Sequence, residues 1–234
     1  MSVFKFKQFS IIQEKSAMKV GTDGVLLGSW VTCKQANTIL DIGCGTGLIT
    51  LMLAQRNLKS NITGIEIDAI ACQEAQLNID NSDWQKRIRI EHSSLQKFKP
   101  ETQFDLFDLI VSNPPFFAEN KSKDRRATAR HTNSLSFEEL IQNTANLLAE
   151  KGIFSVIIPK DAEVDFCKIA ATHNLYCNRV CNVKGNETVA VKRVILEFTF
   201  NKADTTKEHL TIEIARHQYT DEYIQLCKDF YLRM

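Results

Sequence analysis

The chain has no apolar run approaching the length of a membrane-spanning helix, and it does not open on a charged, then apolar, then small-residue pattern. Neither a membrane anchor nor an export signal is expected. Charge of one sign is also missing: 29 Lys and Arg stand against 28 Asp and Glu, a net +1. No global field draws such a protein to a polyanion, so any basic surface must be local. No CxxC pair occurs. Seven cysteines, at 33, 44, 72, 167, 177, 181 and 227, are scattered and odd in number. They read as reduced, partly buried thiols of a cytoplasmic protein. Five dispersed histidines offer no zinc set, and no metal is expected. Glycine and proline are scarce, at nine and four, with no repeat and no low-complexity tract. The 234 residues suffice for one α/β domain with a full core and leave little for a second. A single domain over 1–234 is expected, as a monomer.

What is present concentrates first at Thr38-Ile-Leu-Asp-Ile-Gly-Cys-Gly-Thr-Gly47. Ile39, Leu40 and Ile42 supply the short apolar run of a strand covered on both faces. Gly43, Gly45 and Gly47 follow at alternate positions around Cys44, where a ligand or another backbone must come close. Leu48 to Arg56 then shows helical spacing. A strand, a glycine turn and a helix are how a Rossmann-type sheet holds an adenosine cofactor. The third glycine comes one residue too early for the dinucleotide pattern G-x-G-x-x-G. Asp41 also precedes the turn, where a pyrophosphate would meet a like charge. S-adenosylmethionine carries a sulfonium and an ammonium and no phosphate, so the sign of Asp41 favours it. A second strand, Ile62 to Ile67, places Glu66 near its end, about the twenty-residue offset at which an acid takes ribose hydroxyls. A turn that binds nothing, with Glu66 a solvated charge, is the competing view. Turn, acid and spacing together disfavour it.

Before the turn, residues 1–36 are expected to pack over the cofactor and substrate site. Phe4, Phe6 and Phe9 interleave with Lys5, Lys7 and Gln8, partly as an edge strand would. Met18 to Trp30 reads as a turn followed by an amphipathic helix start. Thr22 or Asp23 either N-caps that helix or closes over the methionine end of the cofactor, and both roles stand open. After the turn, Asp68 to Asp80 reads as a helix with Ala69, Ala71, Cys72, Ala75 and Leu77 inward. Arg87 to Glu91 is a third strand, followed by Ser94 and Leu95, where such sites hold the adenine.

Leu106 to Ser112 is a fourth strand and ends in Asn113-Pro-Pro-Phe116. The carboxyl end of a parallel strand is where these sheets bind ligands. Neither Pro114 nor Pro115 has an N–H, so the loop is rich in acceptors: the Asn113 side-chain oxygen and the Pro114 carbonyl. Two adjacent acceptors match the two protons of an exocyclic amine, and Phe116 offers a face for a flat base. From Phe117 to Ser134 runs a long polar segment with Lys121, Lys123, Arg125, Arg126, Arg130 and His131, a cluster suited to phosphates beside a base pocket. Ser136 is expected to cap a helix through Leu148, with Glu138 or Glu139 in its first turn. A fifth strand from Gly152 and a helix from Asp161 to His173 follow. Leu175 to Val183 and Val189 to Phe200 then form an antiparallel hairpin that finishes the sheet. Leu210 to Ala215 alternates weakly, as one more strand would, and Thr220 to Leu232 is a closing helix.

The Asp-Ile-Gly-Cys-Gly-Thr-Gly turn, Glu66 and Asn-Pro-Pro-Phe together resemble the class I S-adenosylmethionine-dependent amino methyltransferases. Four further segments are similar to those of the bacterial tRNA1(Val) (adenine(37)-N6)-methyltransferases. They are Phe4-Lys-Phe-Lys-Gln-Phe9, Met18 to Gly28, the Arg126…Ala129-Arg-His131 run and Asp229 to Leu232. The resemblance spans essentially the whole chain. It implies a Rossmann-like class I sheet, mostly parallel with an antiparallel C-terminal hairpin and helices on both faces. The cofactor site would be formed by Asp41, Gly43, Cys44, Gly45, Gly47, Glu66, Ile67, Ser94, Leu95, Asn113, Thr22 and Asp23. Asn113, Pro114, Pro115 and Phe116 would be catalytic, acting on the N6 of an adenine in a tRNA anticodon loop. Lys5, Lys7 and the 121–131 cluster would hold the RNA. Relatives often carry an aspartate where Ser94 stands. Other planar nitrogens (guanine N2 of ribosomal RNA, adenine in DNA, a protein glutamine amide) remain alternatives, as does a non-catalytic cofactor- and RNA-binding module.

Overall fold

The computed structural model describes residues 2–100, 106–115 and 135–234. Eleven strands and six helices are assigned among them. A two-stranded ribbon, β1 (Val3–Lys5) and β2 (Ser10–Ile12), stands apart from the main sheet. Helix α1 (Thr22–Trp30) leads to β3 (Thr38–Ile42), α2 (Leu48–Arg56), β4 (Asn61–Glu66), α3 (Ala69–Asp80), β5 (Ile88–His92) and β6 (Phe107–Ser112). After α4 (Phe137–Leu147) come β7 (Leu148–Pro159), α5 (Glu163–Thr172), β8 (Tyr176–Asn186) and β9 (Arg193–Thr199). The described chain closes with β10 (Thr206–Ala215), β11 (Gln218–Tyr219) and α6 (Asp221–Cys227).

The main sheet has nine strands in the order β11-β10-β8-β9-β7-β6-β3-β4-β5. The five strands from β7 to β5 are parallel to one another. From β3 the chain winds outward to β5, then returns to lay β6 on the other side of β3. This reversal opens a crevice at the carboxyl ends of β3 and β6, the place where such sheets take ligands. Alternation along the central strands divides the core between two faces. Ile39, Leu109 and Val111 pack with residues of α1, α2 and α6, whereas Leu40, Ile42 and Ile110 pack with α4 and α5. Phe154, Phe166 and Phe198 are fully buried in the second layer, with ring centroids 5.7–6.3 Å apart.

Several expectations shift. The N-terminal phenylalanines belong to a separate ribbon rather than to an edge of the sheet. Phe6 stacks on Phe9 at 4.6 Å and bridges to Tyr231. The β8–β9 hairpin does not finish the sheet, because β9 inserts beside β7 and β10 adds outside β8, parallel to it. The weak alternation of Leu210 to Ala215 does fall in a strand, β10, which begins earlier, at Thr206. The closing helix stops at Cys227. On α3 the inward face carries Glu74 and Asn78 beside Ala71, Ala75 and Ile79, while Leu77 is 44% exposed. Helix α1 starts after Gly21 in extended conformation with no side-chain cap, so neither Thr22 nor Asp23 is its N-cap.

The start of α4 follows the sequence expectation. The Ser136 hydroxyl accepts from Glu139 N–H at 3.2 Å, and the Glu139 carboxylate accepts from Ser136 N–H at 3.0 Å. Removing that cap by Ser136→Ala is expected to lower unfolding free energy by about 1 kcal/mol, measured by urea denaturation.

Candidate active site

The glycine turn is shaped by backbone geometry. Gly43, Gly45 and Gly47 have φ of +69°, +57° and +83°, a region costly for any residue with a Cβ. The N–H groups of Gly43 and Cys44 both donate to the Ile65 carbonyl, at 2.9 and 3.0 Å, and Gly45 N–H donates to Glu66 Oε2 at 2.8 Å. These bonds tie the turn to the end of β4. A Cβ on Gly43 or Gly45 would meet no atom within 4 Å, so the turn presents bare backbone to open space.

That space is a cavity of about 680 Å³, within the roughly 300–1,000 Å³ usual for small-molecule sites. Its wall takes Ile42 to Thr46 from the turn, Glu66 and Ile67 from the end of β4, His92 to Lys97 after β5, and Ser112 to Pro115 after β6. Of the sequence-predicted residues, Gly43, Cys44, Gly45, Glu66, Ile67, Ser94, Leu95, Asn113, Pro114 and Pro115 therefore meet around one cavity. Glu66 is 8% exposed; its second oxygen accepts from Asp68 N–H at 2.8 Å. The Cys44 thiol is buried, which pushes it well above the ordinary range, and Asp41 and Glu66 add to the shift. Gly47 is not in the wall; it starts α2 and packs against Ala75 and Ile79.

Asp41 is not in the wall either. It shares the face of Ile39, fully buried behind the turn, and its Oδ2 accepts from the Thr50 hydroxyl at 2.6 Å. Oδ1 is buried with no hydrogen-bond partner. A carboxylate atom left so is costly, and a side chain with no opening to the cavity does not make the contact with a bound cation that the sequence suggested. Thr22 and Asp23 are likewise outside the wall, whereas Gly24 is in it. The Asp23 carboxylate accepts from Arg193 Nε at 2.7 Å, across to β9. Of the proposed RNA contacts, Lys7 is exposed, and its ammonium donates to the carbonyls of Lys228 and Met234. Lys5 is exposed on β1 and does not line the cavity. Phe116, Lys121, Lys123, Arg125, Arg126, Arg130 and His131 lie outside the described residues.

Other wall residues were not foreseen. Met18, Lys19 and Val20 arrive from the N-terminal segment, and Gln96, Leu135 and Glu139 close another part of the wall. The N–H and hydroxyl of Ser136, with Gln96 Nε2 at 3.3 Å, hold the Glu139 carboxyl below its usual range. The Ser136–Glu139 spacing announced a helix cap; only packing of α4 beside the 94–98 turn could announce a wall.

Burial pushes the Asp41 carboxyl up to about 7, against the opposing Thr50 hydrogen bonds and with the Glu66 charge adding to the rise. Between the ordinary carboxyl range and that value, the folded ligand-free protein keeps a proton that the unfolded chain has lost. Its stability therefore falls as pH rises through this window, by up to about 1.4 kcal/mol per unit from this group. Asp41→Asn removes the dependence. Urea unfolding at about pH 5 and 6.5 should show the variant gaining roughly 1–2 kcal/mol on the wild type; equal slopes would mean that Asp41 is already ionised.

Comparison with known proteins agrees with this geometry. A family model described as the methyltransferase small domain matches residues 16–174. Proteins named tRNA1(Val) (adenine(37)-N6)-methyltransferase are 48% identical in Flavobacterium psychrophilum, over 99% of this chain and all of theirs. In Christiangramia forsetii the identity is 46%, over 99% and 98%. Among solved structures, one described as a predicted O-methyltransferase from Agrobacterium tumefaciens superposes with a TM-score of 0.69 over 89% of this chain and 96% of its own, at 19% identity. P. horikoshii TYW2 in complex with MeSAdo gives 0.61 over 84% and 70%, at 14% identity. These two share the fold, while the full-length relatives share the sequence. The chain is a methyltransferase and belongs to the tRNA1(Val) (adenine(37)-N6)-methyltransferase family.

Proposed function

We propose that this methyltransferase moves the methyl group of S-adenosylmethionine to the exocyclic N6 of adenine 37 in the anticodon loop of tRNA1(Val), in the cytoplasm and as a monomer. The observation that carries the chemistry is that Asn113 and Pro114, at the carboxyl end of β6, share one cavity wall with the glycine turn and Glu66. The family relationship, at 46–48% identity over nearly the whole chain, supports the substrate.

The residues present suit the donor. Bare backbone at Gly43 and Gly45 admits a close ligand, and Glu66 stands in the wall with acceptor capacity for ribose hydroxyls. Asp41, fully buried and outside the wall, is not among the groups that would touch the donor. Leu95 and Ile67 supply apolar surface for a purine. When bound, S-adenosylmethionine supplies a methyl group made electrophilic by its sulfonium.

The chain's remaining task is to make an aromatic amine nucleophilic. The N6 lone pair is delocalised into the adenine ring. The Asn113 side-chain oxygen and the Pro114 carbonyl each accept one N–H of the amine, drawing the nitrogen toward tetrahedral geometry and localising that pair. Pro115 leaves the Pro114 carbonyl without a competing N–H on the next residue. Holding two reactants in attack geometry contributes up to roughly 7–11 kcal/mol. Asn113 is neutral and need not act as a base, because the nitrogen becomes strongly acidic once methylated. Phe116 stacks on the base, a contact worth about 1–3 kcal/mol. A loop nucleotide is unstacked at less cost than one inside a helix. Lys5 and the cluster from Lys121 to His131 grip the surrounding phosphates.

Asn113→Ala is expected to lower kcat/KM on a tRNA1(Val) transcript by about 100-fold or more, the scale on which a single positioned polar group acts in a transition state. Calorimetric affinity for S-adenosylhomocysteine should stay near the wild-type value, and unchanged turnover would reject the role of Asn113. In cells lacking the protein, nucleoside analysis should find N6-methyladenosine gone from one valine isoacceptor. Its persistence there, with loss from ribosomal RNA, DNA or protein, would assign a different planar nitrogen.

A further inference from the structure

Two buried polar residues of α3 take no part in the site as described: Glu74, 7% exposed, and Asn78, 2% exposed. A carboxylate so placed needs strong donors. Glu74 has three in succession. Its Oε1 accepts from the N–H groups of Glu14 at 2.8 Å and Lys15 at 2.7 Å, and its Oε2 from Ser16 N–H at 3.0 Å. One helical turn on, Asn78 Oδ1 accepts from Ile12 N–H at 2.8 Å. Its Nδ2 donates to the carbonyls of Ile12 at 3.0 Å and Thr46 at 2.9 Å. Helix α3 thus grips the N-terminal segment at 12 and 14–16 and ties it to the glycine turn.

Beyond that grip, residues 13–20 close on themselves. Val20 N–H donates to Gln13 Oε1 at 2.6 Å, the Ser16 hydroxyl donates to the Met18 carbonyl at 3.1 Å, and the Lys19 ammonium donates to the carbonyls of Gln13 and Glu14. The loop is internally braced and docked through Glu74. Its far end carries Met18, Lys19 and Val20 into the wall of the cavity. Met18 is 65% exposed, an apolar side chain with little protein around it.

We propose that Glu74 is a positioning residue for the methyl donor: it latches the 13–20 loop to α3, so that Met18, Lys19 and Val20 complete the cavity wall and the latch sets how tightly the donor is held. This rests on the cavity being the donor site. Glu74 touches no reacting atom and acts only through the loop.

Glu74→Gln keeps the side-chain volume but turns an amide NH₂ toward converging N–H donors. In the full-length variant, the Kd for S-adenosylhomocysteine and the KM for S-adenosylmethionine should each rise about tenfold, with kcat at saturating donor within about twofold of wild type. A merely structural role would lower Tm and leave both constants unchanged, which would overturn the latch while the wild type still binds. Wild-type protein that binds no S-adenosylhomocysteine would overturn the donor site and the latch together. A second measurement needs no variant. Coupling is reciprocal, so saturating S-adenosylhomocysteine should slow hydrogen exchange at the amides of 14–16 about tenfold more than at those of α5. Equal effects at the two places would also overturn the proposal.

Discussion

The carboxyl end of β4 holds the site in shape. The Ile65 carbonyl takes two N–H groups of the glycine turn and the Glu66 carboxylate takes a third. These bonds are possible because the turn runs through left-handed conformations that glycine adopts without a Cβ clash. They bring the ends of two neighbouring parallel strands to one level and leave bare peptide backbone facing the cavity. Gly64 extends the same constraint, since a Cβ there would come within 3.0 Å of the Cys44 sulfur and 2.9 Å of Ile90. The first core strand, its turn and the strand beside it behave as one rigid unit against which ligand-facing groups are set.

Around that unit the site separates buried charge from reachable acceptors. Asp41 is fully buried behind the turn and held by Thr50. Glu66 lies in the wall with both oxygens taking backbone N–H groups. At the other end Asn113 is half-buried and Pro114 buried, so the acceptors there are neutral and carried on a backbone that two prolines stiffen.

Several basic side chains among the described residues make hydrogen bonds or ion pairs to other parts of the chain. Lys7 and Lys19 donate to backbone carbonyls. Arg179 lies 3.7 Å from the Trp30 ring centroid and pairs with Glu197 and Glu208, and Arg193 pairs with Asp23. The contacts of Arg179 with Trp30 and of Arg193 with Asp23 join the N-terminal segment to the C-terminal strands.

Local signals made the central architecture legible. Short apolar runs, alternate glycines, the Ser136-x-x-Glu139 box and the helical spacing of Leu48–Arg56 all act within a few residues, so a linear reading finds them. The same holds for the cofactor turn, Glu66 and Asn113-Pro-Pro, whose chemistry follows from residue type at the end of a strand. What needed the tertiary structure was every decision taken at long range. These include the insertion of β9 beside β7, the parallel addition of β10, the retreat of Asp41 behind the turn and the grip of Glu74 on residues 14–16. Hydrogen bonds and burial between segments some sixty residues apart leave no periodic trace in either segment, because each partner's spacing is set by its own helix or loop. Sequence determined which candidate groups the chain carries; packing alone decided which of them reach the cavity.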